Sequence, residues 1–192
     1  MSRLDLVVGP NGAGKSTFVR LVLVPTLPGA AFVNADQIAA QHWPDDPEPH
    51  AYDAAAVAAA TRSRLIELRR PFIAETVFSH PSKLDLMGEA TAAGYHLALH
   101  VLMVPEDLAV ARVAYRRRNG GHGVPVDKIR VRYLRVWPLV ADAVAKAGSA
   151  TFWDNSSVDG PRQAAVFIEG VVVGTPTWPA WTPAALSDRW PA

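Results

Sequence analysis

Two rhythms of apolar and polar positions alternate along the chain. Leu4-Asp5-Leu6-Val7-Val8 is a short apolar run that stops at Gly9 and enters a glycine-rich turn, the form of a buried parallel strand feeding a helix. A helix is expected over Ser16 to Val24, stopped by Pro25 and Pro28. Ala31-Phe32-Val33 reads as a second strand, leading through Asn34-Ala35-Asp36 into a helix that begins near Gln37. Trp43 to His50 holds Pro44, Pro47 and Pro49 among three acidic residues, which predicts an exposed loop. The alanine-rich stretch Tyr52 to Arg69 is helical in pattern, and Phe72-Ile73-Ala74 is a third strand with Glu75-Thr76 at its C-terminal end. A helix from Pro81-Ser82 to about Ala93, a strand over 95–104 and a helix from Pro105 to about Arg118 follow. Asn119 to Gly123 is a glycine-rich break, Asp127 to Ala147 a helix interrupted or kinked at Pro138, and Ala150 to Trp153 a last strand.

After Asn155 the pattern weakens. Gly174 to Ala192 carries four prolines and three tryptophans, and an irregular surface-wrapping tail is expected there. Strands alternating with helices give an α/β fold: a three-layer P-loop sandwich with a central parallel sheet of about five strands, helices on both faces and an arginine-rich helical lid. A chain of 192 residues suits one such domain, residues 1–157 with the lid at about 105–135, and residues 158–192 form an extension packed on it.

Composition narrows the classes. A net charge of +1 gives the molecule no overall polyanion-binding character, and the absence of cysteine excludes disulfides and thiolate chemistry. No apolar run approaches the roughly 20 residues needed to cross a bilayer. The N-terminus lacks a signal-peptide pattern, so the expected location is cytoplasmic.

Gly9-Pro10-Asn11-Gly12-Ala13-Gly14-Lys15-Ser16, followed by Thr17, fits the P-loop pattern G-x-x-x-x-G-K-[ST] in the required strand–loop–helix context. Glycines let successive N–H groups turn inward around phosphate, and the helix N-terminus adds its positive dipole end. Lys15 is expected at the β- and γ-phosphates of ATP or GTP, and the Ser16 hydroxyl on Mg²⁺. Transporter ATPases share this wording, but they also need an LSGGQ-like signature and an apolar strand ending in Asp-Glu; the only comparable strand end here is Ala74-Glu75-Thr76. Small size points to a kinase.

Asp36 follows the second strand on the same edge of the sheet as the P-loop, where it would orient an acceptor hydroxyl and take its proton, or else cap the next helix. Glu75 and Thr76 end the third strand at that edge, to bind acceptor hydroxyls or hold a Mg²⁺-bound water, or simply as polar residues where the strand meets solvent. Ser79 is a candidate cap of the next helix, and Lys83 a solvated helix residue. Arg112 and Arg116 share one helix face, and Arg117, Arg118, Lys128, Arg130, Arg132 and Arg135 lie on either side of Gly120-Gly121. That layout reads as a lid closing guanidinium groups over phosphates, with a nucleic-acid patch or a solvated face as alternatives. Tyr115, Tyr133, Trp137 and Trp153 are expected to pack in the core or lid. Asn155, after the last strand, is placed against the adenine by analogy of fold position.

Val33-Asn34-Ala35-Asp36, Ala74-Glu75-Thr76-Val77-Phe78-Ser79-His80, the segment from Arg112 through Arg116-Arg117-Arg118-Asn119-Gly120-Gly121-His122-Gly123-Val124-Pro125, and Ile129-Arg130 with Arg132-Tyr133 together resemble the zeta-toxin family of P-loop kinases, in particular its chromosomally encoded branch. The resemblance runs from about residue 3 to 157. It implies ATP-dependent phosphorylation of the 3′-hydroxyl of UDP-N-acetylglucosamine, restraint by an antitoxin protein, Asp36 as the base, and an acceptor site drawing on Asn34, Asp36, Glu75, Thr76, Arg112 and Arg132. Lys15, Arg116 and Arg118 would stabilise the transferring group. A kinase for an antibiotic, a nucleoside or another nucleotide sugar, a nucleotide-dependent switch, and an RNA-binding ATPase are the competing readings; the first keeps the same chemistry.

Overall fold

Side-chain alternation along β1 (Arg3–Val8) feeds two cores at once. Leu4, Leu6 and Val8 enter one apolar cluster and Val7 the other, so this strand is covered on both faces and lies inside the sheet. The computed structural model describes residues 2–120 and 123–192. Gly121 and His122, part of the predicted hinge, lie outside the described residues.

The other strands are β2 (Ala31–Val33), β3 (Phe72–Thr76), β4 (His96–Met103), β5 (Ser149–Asp154), β6 (Arg162–Ile168) and β7 (Val171–Val173). Their order in the sheet is β2-β3-β1-β4-β5-β6-β7. The first five run parallel, with Val8 level with Thr76 on one side and Val101 on the other, and Met103 level with Asp154. The C-terminal ends therefore form one edge. The chain leaves β1 toward β2 on one side and later crosses to β4 on the other, so the crevice beside β1 is the topological switch point where ligands of such sheets bind.

One face is covered by α4 (Ala51–Glu67), α5 (Ser82–Ala92) and α7 (Val126–Val144), the last burying Ile129, Tyr133, Val136, Trp137 and Val140. The opposite face is covered by α1 (Lys15–Phe18), a π-helical turn Val19–Leu23, α2 (Val24–Thr26) and α6 (Glu106–Arg118). α3 (Ala35–His42) packs beside α4. Within the second face Asp5 is buried, with Arg3 Nε 2.7 Å from its Oδ2 and His100 Nε2 2.9 Å from its Oδ1. Burial pushes the Asp5 carboxyl up, but the hydrogen bonds from His100 and Arg3 outweigh it and leave the group below the ordinary aspartate value.

Three expectations are corrected. The helix after the P-loop does not stop at Pro25 but runs to Thr26 through the widened turn, which relieves the crowding a proline ring imposes on the carbonyl four residues before it. α7 passes Pro138 without interruption; that proline is exposed. The sheet has seven strands rather than about five, because β6 and β7 extend it antiparallel, while Gly174 to Ala192 adds no strand and packs back on the sheet. The tryptophans hold that segment in place. Trp178 meets Phe152 edge-on at 5.3 Å and donates from Nε1 to Trp190 O at 2.7 Å, while Trp190 packs on Phe167 at 4.7 Å. α8 (Ala184–Ser187) places Leu186, 0% exposed, in the same cluster. No described helix is long and apolar enough to cross a membrane.

Leu186→Ala is accordingly expected to cost about 2–5 kcal/mol of unfolding free energy, the range for emptying a core site. Urea denaturation checks this: a change within error would show that the tail is not part of the cooperative core.

Candidate active site

The loop joining β1 to α1 is pressed between three neighbours. A Cβ at Gly9 would strike the carbonyl of Leu102 on β4, and one at Gly12 the carbonyl of Ala109 on α6. Gly14, at φ 85°, is in the left-handed region and approaches Asn155 Nδ2, which a Cβ would meet at 2.5 Å. Asn155 fixes this arrangement. Its backbone N–H donates to Met103 O at 2.9 Å, and its side-chain amide donates to Ala13 O at 2.7 Å. Its carbonyl accepts from Arg112 Nη1 at 2.9 Å. Asn155 thus ties the end of β5 to the P-loop and to α6.

Lys15 is 7% exposed and donates from Nζ to Pro10 O at 2.9 Å. Burial lowers its pKa; Glu75 and Asp36 oppose that shift, and Arg116 adds to it. Ser16 and Thr17 are exposed at the start of α1.

Two cavities flank this lysine. One, of about 500 Å³, is walled by Gly12 and Gly14 of the loop, Thr17 of α1, and Arg112, Tyr115 and Arg116 of α6. The other, of about 290 Å³, is walled by Asn34, Asp36, Thr76, Lys83 and Arg132 together with Asn11. Gly12, Lys15, Ser16, Glu75 and Arg116 line both. The Asn11 side-chain oxygen is buried without a hydrogen-bond partner, an acceptor that a hydroxyl or a water would satisfy.

The two readings of Asp36 separate here. The helix cap is Asn34, whose Oδ1 accepts from Gln37 N at 3.1 Å and whose Nδ2 donates to Glu75 Oε2 at 2.7 Å. Asp36 is therefore not the cap; it lies exposed in the first turn of α3, on the wall of the smaller cavity. Thr76 Oγ1 lies 3.5 Å from the N–H of Phe78, a buried aromatic held at φ 63°. A bulky side chain in that region is strained, and its burial anchors the turn after β3 against the cavity.

Other candidates fall elsewhere. Arg118, with Arg117, lines a third cavity of about 480 Å³ bounded by Val113, Pro125 and Ile129, and neither arginine reaches the walls of the two cavities at the loop. Arg130 is bound to Glu106 at 2.6 Å and Asp107 at 3.1 Å, bracing α7 against α6. Tyr115, expected to pack, is 65% exposed at the larger cavity; Tyr133 and Trp137 are buried as expected. Ser79 does not cap α5, whose N-cap is Pro81 without a side-chain cap; in the turn before it His80 Nδ1 accepts from Ser82 N at 3.2 Å. Lys83, read from sequence as solvated, is half-buried at the smaller cavity. Only contact between α5 and the C-terminal ends of the strands reveals it; no local pattern does.

Mg²⁺ fits this donor set. Among the described residues no three of His, Asp and Glu cluster as a metal cage, but Mg²⁺ takes only one or two protein oxygens beside waters and phosphates. The Ser16 hydroxyl and the carboxylates of Asp36 and Glu75 share one cavity wall.

Since phosphate charge replaces what burial takes from Lys15, the free protein is destabilised by this lysine at neutral pH. Between its lowered folded value and the ordinary 10.5 the unfolded chain holds one more proton, so stability rises with pH across that window. Lys15→Met is expected to raise the melting temperature of the nucleotide-free protein, by on the order of 2–4 °C for each kcal/mol relieved, and to abolish the further rise on adding ATP. A melting scan with and without ATP reads both.

A family model described as an AAA domain matches residues 4–137. No curated protein matches the chain. Among solved structures the fold is similar to that of the AvrRxo1-ORF1:AvrRxo1-ORF2 complex, determined with sulphate ions and with ATP, at a TM-score of 0.72 and 13% identity over 90% of this chain. The chain spans 60% of the length of that relative. It is also similar to a structure of the PezAT chromosomal toxin-antitoxin system of Streptococcus pneumoniae, at a TM-score of 0.63 and 14% identity, covering 80% of this chain and 67% of the other. A third likeness is to the Pnkp1/Rnl/Hen1 RNA repair complex, at 0.60 and 22% identity over 73% of this chain and 45% of the other. At such identities these likenesses establish the fold. With the family model matching well over half of the sequence and a P-loop built as described, the chain belongs to the AAA domain family of P-loop proteins.

Proposed function

We propose that this protein is an ATP-dependent kinase of zeta-toxin type, which transfers the γ-phosphoryl group to a hydroxyl of a small acceptor. The observation that carries the reading is the meeting of two cavities at Lys15, Ser16, Glu75 and Arg116, with a carboxylate, Asp36, on one side only. A nucleotide hydrolase or switch needs one such cavity; transfer needs a second, where the acceptor is held in line with the γ-phosphate. The phosphate cradle would take ATP or GTP, and the likeness to a structure determined with ATP favours the former.

In this reading the loop amides, Lys15 and Arg116 hold the phosphates, and Asp36 orients the acceptor hydroxyl and takes its proton. Mg²⁺, held through Ser16 and the neighbouring carboxylates, would supply charge neutralisation between the β- and γ-phosphates. Asn34 keeps Glu75 turned into the site through their 2.7 Å hydrogen bond, leaving Glu75 and Thr76 to receive acceptor hydroxyls beside Arg132. Arg112, held by Asn155, borders the nucleotide side. Arg118 lines a separate cavity and has no place at the phosphates in this reading. UDP-N-acetylglucosamine is the acceptor that the zeta-toxin resemblance favours. An antitoxin partner is supported by that resemblance and by the likeness to PezAT.

Incubation with ATP, Mg²⁺ and candidate acceptors, read by mass spectrometry for an added phosphate, tests the proposal. Turnover of ATP with every acceptor left unmodified would replace it with a switch. Asp36→Asn is expected to lower transfer by about 10²–10⁴-fold while ATP affinity stays near wild type; normal turnover would remove Asp36 as the base. Arg116→Ala is expected to lower kcat by about 100-fold or more, and Arg118→Ala by clearly less. The reverse ranking in steady-state kinetics would give the phosphates to Arg118.

A further inference from the structure

The smaller cavity does not end at Glu75. It continues into a recess of about 70 Å³ between α4 and α5, with Ala35, Ala55, Glu75, Thr76 and Lys83 common to both spaces. A water molecule takes about 30 Å³ of liquid volume, so the recess admits a group of a few heavy atoms. Much of its wall is small and apolar, including Ala58 and Ala74, yet two cations reach it: Arg62 from α4 and Lys83 from α5.

Both are half-buried, and among the described residues neither side chain makes a hydrogen bond or an ion pair. Burial lowers the pKa of each, and the Arg62 charge lowers Lys83 further. Glu89 acts on Arg62 through space without ion-pair contact. Glu75 lines the recess, but its Oε2 accepts from Asn34. Two like charges kept side by side and partly out of water are costly unless a counter-charge arrives. Asp36 lines the wider cavity but not the recess, whereas Glu75 lines both.

We infer that Arg62 and Lys83 form an anion subsite of the acceptor cavity, and that the acceptor carries a phosphate or carboxylate group in addition to the hydroxyl it presents to Asp36. The inference rests on the kinase reading of that cavity and adds a polarity to it. The guanidinium offers a two-pronged contact and the ammonium a point charge. The anion is drawn into the recess and the hydroxyl is left facing Lys15 and Ser16. A neutral sugar would leave both cations unanswered.

The test uses the full chain saturated with Mg²⁺ and a non-hydrolysable ATP analogue, so that the P-loop is filled. Inorganic phosphate and, separately, acetate are titrated in while the Arg62 Nε–H and the amides of residues 82–84 are followed by NMR, with chloride as the control. Saturable shifts at these positions with phosphate or acetate and not with chloride are expected. Phosphate alone identifies a phosphorylated acceptor, and acetate alone a carboxylated one. In the double variant Arg62→Gln, Lys83→Gln the affinity is expected to fall about tenfold or more, with unchanged affinity for the nucleotide analogue showing that the protein is folded. Lys83→Arg, which keeps the charge, should retain the site. Shifts that never saturate, shifts reproduced by chloride, or undiminished affinity in the double variant would overturn the subsite. The kinase reading fails separately: a saturable anion site in a protein that phosphorylates no acceptor keeps the subsite and removes the enzyme, whereas Asp36-dependent transfer without the site does the reverse.

Discussion

The close approach of the Gly9–Ser16 backbone to its neighbours is the constraint on which the rest of the site depends. The loop is wedged against the carbonyl of Leu102, the carbonyl of Ala109 and the amide of Asn155, and no side chain fits at the three glycines that make these contacts. A backbone held on three sides cannot re-form when phosphate arrives or leaves, so its N–H groups are organised before binding. Asn155 extends the constraint outward. One residue, after the last parallel strand, holds the loop through Ala13 and positions Arg112 on α6. The strand end, the phosphate loop and the nucleotide wall are therefore one mechanical unit.

Charge in the site is arranged across this frame. Lys15 is buried, and burial opposes its charge; the carboxylates of Glu75 and Asp36 partly restore it. Those carboxylates line the smaller cavity together with Lys83, and Glu75 and Lys83 also line the recess that Arg62 enters. Under the proposed kinase reading, an acceptor bearing a hydroxyl and an anionic group would be oriented by these charges as well as by shape.

The C-terminal segment has a structural part in this. β5 would be an edge strand without β6, yet it carries Asn155 at its end. Pairing with β6 and β7, and the packing of Trp178, Trp190 and Leu186 on Phe152 and Phe167, hold that strand from its far side. An unpaired edge frays first. The rigidity of the phosphate loop thus reaches back to residues with no direct place in the chemistry.

The sequence by itself determined the parallel sheet, the loop and the strand-end candidates, because these are local: strand periodicity, glycine spacing and the residue that follows each strand are written in adjacent positions. Asp36 and Glu75 were legible for that reason, once strands were known to end together. What adjacent positions could not show was which neighbour would satisfy which group. Asn34 rather than Asp36 caps α3, because its amide also meets Glu75 from a strand 41 residues away. The tail packs on the sheet despite its prolines, because Trp178 and Trp190 make apolar contacts with Phe152 and Phe167. Lys83 and Arg62 come from separate helices to one recess, and only the packing of α4 and α5 over the sheet brings their like charges together. Burial and charge proximity are properties of the folded whole, which adjacent positions do not carry.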